Sequence, residues 1–171
     1  LIDSPFELAE QSRFSFDANG IPHEFVISGK HATNLNRLQA DIEKICRTEI
    51  DMFGSAPFKN YTFMTMATGN SYGGLEHCNS TSLITPRDDL PKANEPEEPS
   101  KDYQRFLGLC SHEYFHSWLV KFIRPENFAN YDLHKESYTS LLWIFEGFTS
   151  YYDDLILLRS GVISQKSYLD L

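Results

Sequence analysis

The sequence predicts an α+β domain, in which strands and one helix come first and two long helices follow. Three features indicate this class: strand-like alternation near the start of the chain, an amphipathic helical period over residues 34–53, and long helix-favouring segments after residue 100. At 171 residues the chain is large enough to bury a core of its own, so a single domain is expected.

Strand patterns dominate the first half of the chain. Residues 14–16 and 24–27 alternate as strands do, and the Asn19-Gly20 turn between them predicts a hairpin. Residues 61–68 are rich in β-branched and aromatic side chains and predict another strand. After a glycine-containing loop, one further strand is predicted through residues 75–85.

One amphipathic helix interrupts these strands. Apolar residues recur every three or four positions from Asn34 to Phe53, with Thr33 or Asn34 as the predicted N-cap and Gly54 as the predicted end. Residues 86–99 contain four prolines and several acidic side chains, which predicts a solvated surface loop.

Two longer helices are predicted downstream, from about Asp102 to Leu119 and from about Ser137 to Arg159. Pro125 closes the connection after the first helix, and Gly161 is expected to end the second. Residues 164–171 predict the start of another helix.

Charge and cysteine content narrow the function classes. The formal net charge is −9, whereas a nucleic-acid-binding domain would show a basic face. No run of about 18 apolar residues occurs, so no membrane span is expected. Cys46, Cys78 and Cys110 do not form a paired framework, which favours a reducing compartment. A cytoplasmic location is predicted, with the periplasm as the alternative.

The first long helix contains the HExxH pattern, from His112 to His116. Positions i and i+4 lie one above the other on a helix, so His112 and His116 can both reach one zinc ion. Glu113 points about 100° away from His112, where it can act as general base on a metal-bound water. Only three positions of this pattern are fixed, so the alternative is that these side chains face solvent or satisfy polar groups in the core.

Glu146 is the candidate for the third ligand that a catalytic zinc requires. It lies within an apolar segment predicted to be helical, where an unpaired carboxylate would be costly. The alternative is an exposed or salt-bridged carboxylate. Gly147 beside it suggests that a neighbouring helix comes close. Asp153, on the same helix face, is predicted to orient a ligand histidine, with a solvated surface acid as the alternative.

Three ordered motifs resemble the glycyl aminopeptidases, zinc peptidases of the gluzincin type whose members often carry a PDZ domain. The motifs are residues 73–77 (GGLEH), 111–118 (SHEYFHSW) and 143–154 (WIFEGFTSYYDD), with weaker agreement at residues 107–110 and at Tyr131-Asp132-Leu133. The resemblance implies a zincin-like (thermolysin-like) catalytic domain with a small mixed sheet and two long active-site helices. It also implies zinc as the cofactor, with His112, His116 and Glu146 as ligands and Glu113 as the base.

The first of these motifs resembles the exopeptidase motif of zinc aminopeptidases, in which a glutamate on a strand holds the free α-amine of the substrate. That role passes to Glu76, because a carboxylate suits an ammonium group. Gly73 and Gly74 would let the substrate backbone come close, and His77 stands where other aminopeptidases have asparagine. Without the zinc motif, this segment would indicate only a turn at the edge of a sheet.

The resemblance further implies a larger parent chain as a partner, with an N-terminal β domain, a C-terminal helical region and a PDZ domain. Residues 1–171 are therefore assigned to an incomplete catalytic domain, in which residues 1–29 are alternatively the tail of the preceding β domain. A peptide substrate is expected, and neither nucleic acid nor membrane is. Tyr151 and Tyr152 lie too near Glu146 to be equated with the oxyanion-binding tyrosine of related enzymes, and are expected to pack.

The predicted function is zinc-dependent hydrolysis of peptide bonds next to a free N-terminus. A preference for small N-terminal residues such as glycine is implied by the resemblance alone. Endopeptidase activity is the nearest variant. The alternative is a catalytically silent zinc module that binds peptides or serves as a scaffold.

Overall fold

The alternating segments of the first half form one five-stranded sheet in the computed structural model, which describes residues 3–129, 132 and 134–171. The strands are β1 (Gln11–Ala18), β2 (Ile21–Ser28), β3 (Tyr61–Thr68), β4 (Gly73–Glu76) and β5 (Ser80–Pro86). Their order is β1-β2-β3-β5-β4, with antiparallel pairs at both edges and two parallel pairs in the centre. The sheet is therefore mixed, and the α+β class is confirmed.

Six helices lie in the described part of the chain. They are α1 (Leu35–Phe53), α2 (Lys101–Phe115), α3 (Glu126–Ala129), α4 (Leu142–Phe145), α5 (Gly147–Arg159) and α6 (Gln165–Leu169), with a single 3₁₀ turn at Arg87–Asp89. Each helix among these residues is too short or too polar to span a bilayer.

The helix α1 begins and ends where its capping residues predict. The Asn34 side chain accepts a hydrogen bond from the Arg37 backbone N–H at 3.2 Å, and Gly54 takes the left-handed conformation with φ 79°. This helix connects β2 to the parallel strand β3, because parallel neighbours require a crossover of this kind.

Residues 11–28 contribute to the same sheet as the rest of the described chain. Strands β1 and β2 pair along their whole length, and β2 then pairs with β3 in a register that places Phe25 beside Phe63. Their rings stack at 5.2 Å between centroids, and Phe106 of α2 meets Phe25 edge-on. The core therefore joins β2, β3 and α2 directly.

An aromatic cluster anchors the HExxH turn of α2 on the sheet. Tyr114, inside the motif, is fully buried and packs edge-on against Tyr61 of β3, with 4.7 Å between ring centroids. Its hydroxyl lies 2.8 Å from Nε2 of His23, which is itself buried. His23 is thus a core residue, and the motif's inward-facing side chains hold the helix in place for its outward-facing ones.

The prediction of a single strand over residues 75–85 is wrong, because the chain reverses there. The backbone N–H of His77 donates to the carbonyl of Ser80 at 2.8 Å and closes a turn between β4 and β5. No glycine or proline marks this turn. The reversal makes β4 an edge strand and places Glu76 at its end.

Both long helices are shorter than predicted. The helix α2 ends at Phe115, because the backbone of residues 117–123 folds into a turn in which the Lys121 N–H donates to the His116 carbonyl at 3.0 Å. Residues 137–141 are not helical. The Thr139 hydroxyl accepts from the Leu141 N–H and the Tyr138 carbonyl accepts from the Asn127 side chain, so this segment forms side-chain bonds that compete with helical ones.

Close approach of the helices occurs at Gly108 and not at Gly147, where it was expected. A Cβ built at Gly108 on α2 would lie 3.3 Å from Oδ1 of Asp154 on α5, whereas one at Gly147 would meet no atom within 4 Å among the described residues. Gly147 is exposed at the start of α5, so helix packing does not require it.

The three cysteines are free thiols. Cys46 and Cys110 are buried in the core between α1 and α2, and Cys78 is exposed in the turn after β4. No disulfide contributes to the fold among these residues.

Candidate metal centre

The last turn of α2 and the junction between α4 and α5 bring together three side chains that could hold a metal ion. Nε2 of His112 lies 3.1 Å from Nε2 of His116. Oε2 of Glu146 lies 3.4 Å from the first of these nitrogens and 3.7 Å from the second. Ligand bonds of about 2.0–2.1 Å around a tetrahedral zinc imply ligand separations of about 3.3 Å, so the triangle fits that ion.

The outer nitrogens of both imidazoles are already committed. Nδ1 of His112 lies 2.9 Å from Oδ2 of Asp153, and Nδ1 of His116 lies 2.9 Å from the carbonyl oxygen of Leu119. Because carboxylate and carbonyl oxygens can only accept, each Nδ1 carries the proton in a neutral ring. Both Nε2 lone pairs then point at one another, an arrangement that a cation between them would stabilise.

Glu146 differs from its prediction in one respect. Its side chain is 56% exposed, so the expected cost of a buried, unpaired carboxylate does not arise. Its carboxylate nevertheless turns towards the two histidines. Residue 146 keeps helical dihedral angles between α4 and α5, and its N–H donates to the Leu142 carbonyl at 2.7 Å. The contacts with the histidines are thus observed, and the ligand role stays a prediction.

Asp153 lies where an orienting residue for His112 is expected. On α5, its carboxylate bonds the His112 ring, and only 14% of its side chain is exposed, so it is not a solvated surface acid. Burial opposes the charged form of His112, but the bond to Asp153 outweighs it and the pKa of the imidazole is raised. The role towards a metal-bound histidine remains a prediction.

The sequence did not indicate the support behind Asp153. Glu49 of α1 is fully buried and accepts a hydrogen bond from the Ser111 hydroxyl at 3.0 Å. The same hydroxyl lies 3.0 Å from the backbone carbonyl of Asp153. Three helices, α1, α2 and α5, therefore meet directly behind His112. A glutamate on the buried side of α1 was the only available signal.

Glu113 is buried beside the edge strand. Burial, together with the nearby carboxylates of Glu76 and Glu146, raises its pKa to about 7, although His112 partly counteracts the rise. Its Oε2 has no hydrogen-bond partner among the described residues. The carboxylate packs against Gly74, where a built Cβ would lie 2.5 Å from the Glu113 carboxyl carbon. Only glycine fits at position 74 while Glu113 keeps this place.

The predicted substrate-binding residues on β4 lie in different environments. Glu76 points to the metal centre, since its carboxylate, that of Glu113 and a ring nitrogen of His116 lie within 4.8 Å of one another. Gly73 pairs with Ile84 of β5. The His77 ring instead faces Asp3, with 3.6 Å from Nδ1 to Oδ1. The structure thus brings Glu76 and Gly74 to the centre but turns His77 towards the N-terminal segment.

A lysine that the sequence did not single out completes this side of the site. Nζ of Lys121 lies 3.5 Å from Oε1 of Glu76 and 3.3 Å from Oδ1 of Asp3. Burial opposes the charged form of Asp3, but hydrogen bonds from the Cys78 side chain and backbone, together with the charge of Lys121, outweigh it, so the pKa of Asp3 falls to about 2. This cluster joins residues far apart in sequence and leaves no local pattern.

Two cavities flank the centre. One, of about 500 Å³, is bounded by His112 and Glu113 of α2 and by Asp153 and Asp154 of α5. The other, also of about 500 Å³, is bounded by Glu76 and Lys121. A ligand can therefore approach Glu113 from one side and Glu76 from the other.

The tyrosines after Glu146 take separate roles. Tyr152 stacks on Phe115 of α2 at 5.5 Å between centroids and packs as expected. Tyr151 meets the Tyr152 ring edge-on at 5.1 Å between centroids, although 58% of it is exposed. Tyr131 and Leu133, part of the weaker motif agreement, lie outside the described residues.

Comparison with known proteins supports the motif assignment. Residues 105–171 match the model of the M61 glycyl aminopeptidases. A crystal structure of an aminopeptidase N family protein from Idiomarina loihiensis is 51% identical over 95% of this chain, with a TM-score of 0.92. The chain spans only 27% of that structure's chain.

A more distant similarity concerns the fold alone. A two-domain M1 zinc metallopeptidase mutant bound to L-arginine is 14% identical over 88% of this chain and 29% of its own, with a TM-score of 0.55. No curated protein matches the chain. The family resemblance indicated by the sequence is confirmed, because the part of the chain that holds His112, Glu113, His116 and Glu146 matches the M61 glycyl aminopeptidase family.

Proposed function

We propose that the chain is the zinc-binding part of a zincin-like aminopeptidase, which hydrolyses peptide bonds next to a free N-terminus. The observation that carries this proposal is the convergence of the His112 and His116 Nε2 atoms, 3.1 Å apart, while both Nδ1 atoms are held by acceptors. When bound there, zinc would polarise the scissile carbonyl and lower the pKa of a water molecule.

A second group of side chains could also hold a cation, but it suits zinc less well. Glu76, Glu113 and His116 offer two carboxylates and one imidazole. Lys121 lies beside Glu76 and would repel a cation at that position. The His112, His116 and Glu146 set has two nitrogen ligands, and its carboxylate forms no ion pair with a lysine among the described residues, so we assign the ion there.

Glu113 is the proton-transfer residue in this proposal. It follows His112 directly in the chain, and its carboxylate lies close to Glu76 and His116, which supports a position beside the peptide bond to be cleaved. It would take a proton from the attacking water and return it to the leaving amine. A structural zinc site has no use for a buried carboxylate with a free acceptor oxygen, which disfavours the silent-module alternative.

Glu76 is proposed to bind the α-ammonium of the substrate. It lies at the end of the edge strand β4, whose outer edge has no neighbouring strand among the described residues. An ammonium group held by Glu76 would place the first peptide bond near Glu113. A preference for small N-terminal residues such as glycine is part of the proposal and rests on the family match.

The test uses the full-length parent protein, because this chain spans only part of its relatives. A Glu113→Gln variant should keep its zinc and lose peptide hydrolysis by at least about a hundredfold. Peptide binding without turnover in the unmodified protein would favour the silent module instead.

A second comparison tests the exopeptidase assignment. Glu76→Gln should reduce cleavage of peptides with a free amine far more than cleavage of their N-acetylated counterparts. An equal loss on both substrates would contradict amine binding by Glu76 and favour an endopeptidase.

A further inference from the structure

Lys121 occupies the position next to the proposed amine-binding carboxylate. Its ammonium lies 3.5 Å from Oε1 of Glu76 and 3.3 Å from Oδ1 of Asp3, and 23% of its side chain is exposed. Among the described residues, its ion pairs are with Glu76 and Asp3 and not with Glu146. The lysine therefore belongs to the Glu76 side of the site.

The backbone directs Lys121 towards Glu76 through a strained turn. Val120 has a φ of 122°, a conformation that β-branched residues rarely adopt. The turn is held by the Lys121 N–H donating to the His116 carbonyl at 3.0 Å and by the Ile123 N–H donating to the Trp118 carbonyl at 2.8 Å. Strain that the surroundings maintain in this way is typical of functional positions.

We propose that Lys121 is a specificity-determining residue whose ammonium competes with the substrate's α-ammonium for Glu76. In the free protein the lysine pairs with Glu76, and a substrate with a free amine has to share or take that carboxylate. The inference rests on the proposed function, because it requires Glu76 to bind the amine.

Asp3 gives the displaced lysine a second partner. Lys121 can keep its bond to Asp3 while the substrate ammonium takes Glu76, since both carboxylates lie within 3.5 Å of the same nitrogen. The Asp3 carboxylate is itself fixed by the Cys78 backbone N–H, which donates to its Oδ2 at 2.8 Å. Exchange of partners then requires only a small movement of the lysine head.

The competing explanation is that Lys121 merely ties β4 to the turn after α2. The two roles predict opposite effects on amine recognition. If Lys121 is a structural link, its mutation would let Glu76 move and would weaken amine binding. If Lys121 competes for Glu76, its mutation would strengthen amine binding.

The experiment compares a dipeptide amide with a free amine and its N-acetyl counterpart, both cleaved by the full-length parent protein at low ionic strength. Lys121→Met should lower the KM for the free-amine substrate about two- to fivefold, the size expected for a partly exposed ion pair, with little change in kcat. Lys121→Arg keeps the cation and should retain the original KM. Lys92→Met removes a lysine from an exposed pair with Asp88 and serves as the matched control.

Two further variants separate the possible outcomes. Asp3→Asn should raise the same KM, because Lys121 is then left with Glu76 alone. In a Glu76→Gln background, Lys121→Met should have no effect on the free-amine KM. Suppose that Lys121→Met leaves the free-amine KM unchanged or raises it, while Glu76→Gln still impairs cleavage of the free-amine substrate more than that of its N-acetyl counterpart. That result overturns the proposed competition. If Glu76→Gln instead reduces cleavage of the free-amine and N-acetylated substrates equally, the amine-binding proposal itself is overturned.

Discussion

The carboxylate of Glu113 packs directly against the backbone of Gly74. A Cβ at position 74 would lie 2.5 Å from the carboxyl carbon of Glu113, well inside van der Waals contact. The edge strand β4 and the HExxH helix α2 therefore approach so closely that position 74 has to be glycine for Glu113 to keep its place. From the sequence, the approach of a substrate backbone was the one reason expected for a glycine at this position.

Gly74→Ala should displace Glu113 and reduce peptide hydrolysis about a hundredfold, because a shift of about 1 Å at a reacting group has an effect of this size. Overpacking should also lower the free energy of unfolding by about 1–3 kcal/mol. Steady-state kinetics and denaturant unfolding check the two effects. Gly69→Ala is the matched control, since a Cβ there meets no atom within 4 Å among the described residues. A Gly74→Ala protein with the original rate would contradict the contact.

Asp153→Asn should weaken zinc binding about 10- to 100-fold, because it removes the carboxylate that holds Nδ1 of His112 at 2.9 Å. Competition with a chelator of known affinity measures the change. Asp88→Asn changes an exposed acid that pairs with Lys92, serves as the control and should leave the affinity unaltered. Equal affinities in the Asp153→Asn and original proteins would show that the bond does not orient a ligand.

Buried Glu49 should make the chain less stable as the pH rises. Complete burial, helped by the charge of Asp153, raises its pKa well above the usual value of 4.5 despite the bond from Ser111. At pH values between 4.5 and the raised pKa of Glu49 in the folded chain, the folded chain binds more protons than the unfolded chain. The free energy of unfolding therefore falls with increasing pH. The contribution is present below about pH 4.5 and is lost as the pH rises towards the folded-state pKa.

Glu49→Gln removes this ionisable group and keeps an acceptor for Ser111. The variant should gain stability relative to the original chain at pH 8 but not at pH 5, which denaturant midpoints at the two values would show. Glu43→Gln changes a carboxylate that pairs with Arg47 on the outer side of the same helix, and serves as control. A constant difference between Glu49→Gln and the original at both pH values would contradict the argument.

Local sequence patterns correctly predicted the helix and strand ends that depend on residues adjacent in the sequence. The helix α1 has its cap at Asn34 and its left-handed end at Gly54, and β3 spans residues 61–68 as predicted. The reversal between β4 and β5 was missed because it uses neither glycine nor proline. The start of α4 was misplaced because the Thr139 hydroxyl and the Tyr138 carbonyl accept hydrogen bonds that no sequence periodicity indicates.

The candidate site likewise contains relations that the sequence indicates and others that depend on the fold. His112 and His116 meet because they are four positions apart on one helix, a relation that the sequence contains. The ion pair between Asp3 and Lys121 spans 118 positions and depends on the strained turn at Val120, so only the fold could bring it to light. The expectation for Gly147 failed because helix contact depends on which face of α5 meets α2.

Zinc content is the most direct test of the central claim. We would measure zinc per chain by elemental analysis on protein purified without added metal, in the original chain, in His116→Ala and Glu146→Ala variants, and in a Glu136→Ala control at an exposed position. The proposed centre predicts close to one zinc ion in the original and control proteins and a strong loss in the two ligand variants. No zinc in the original protein even after reloading, or equal zinc in all four, would contradict it.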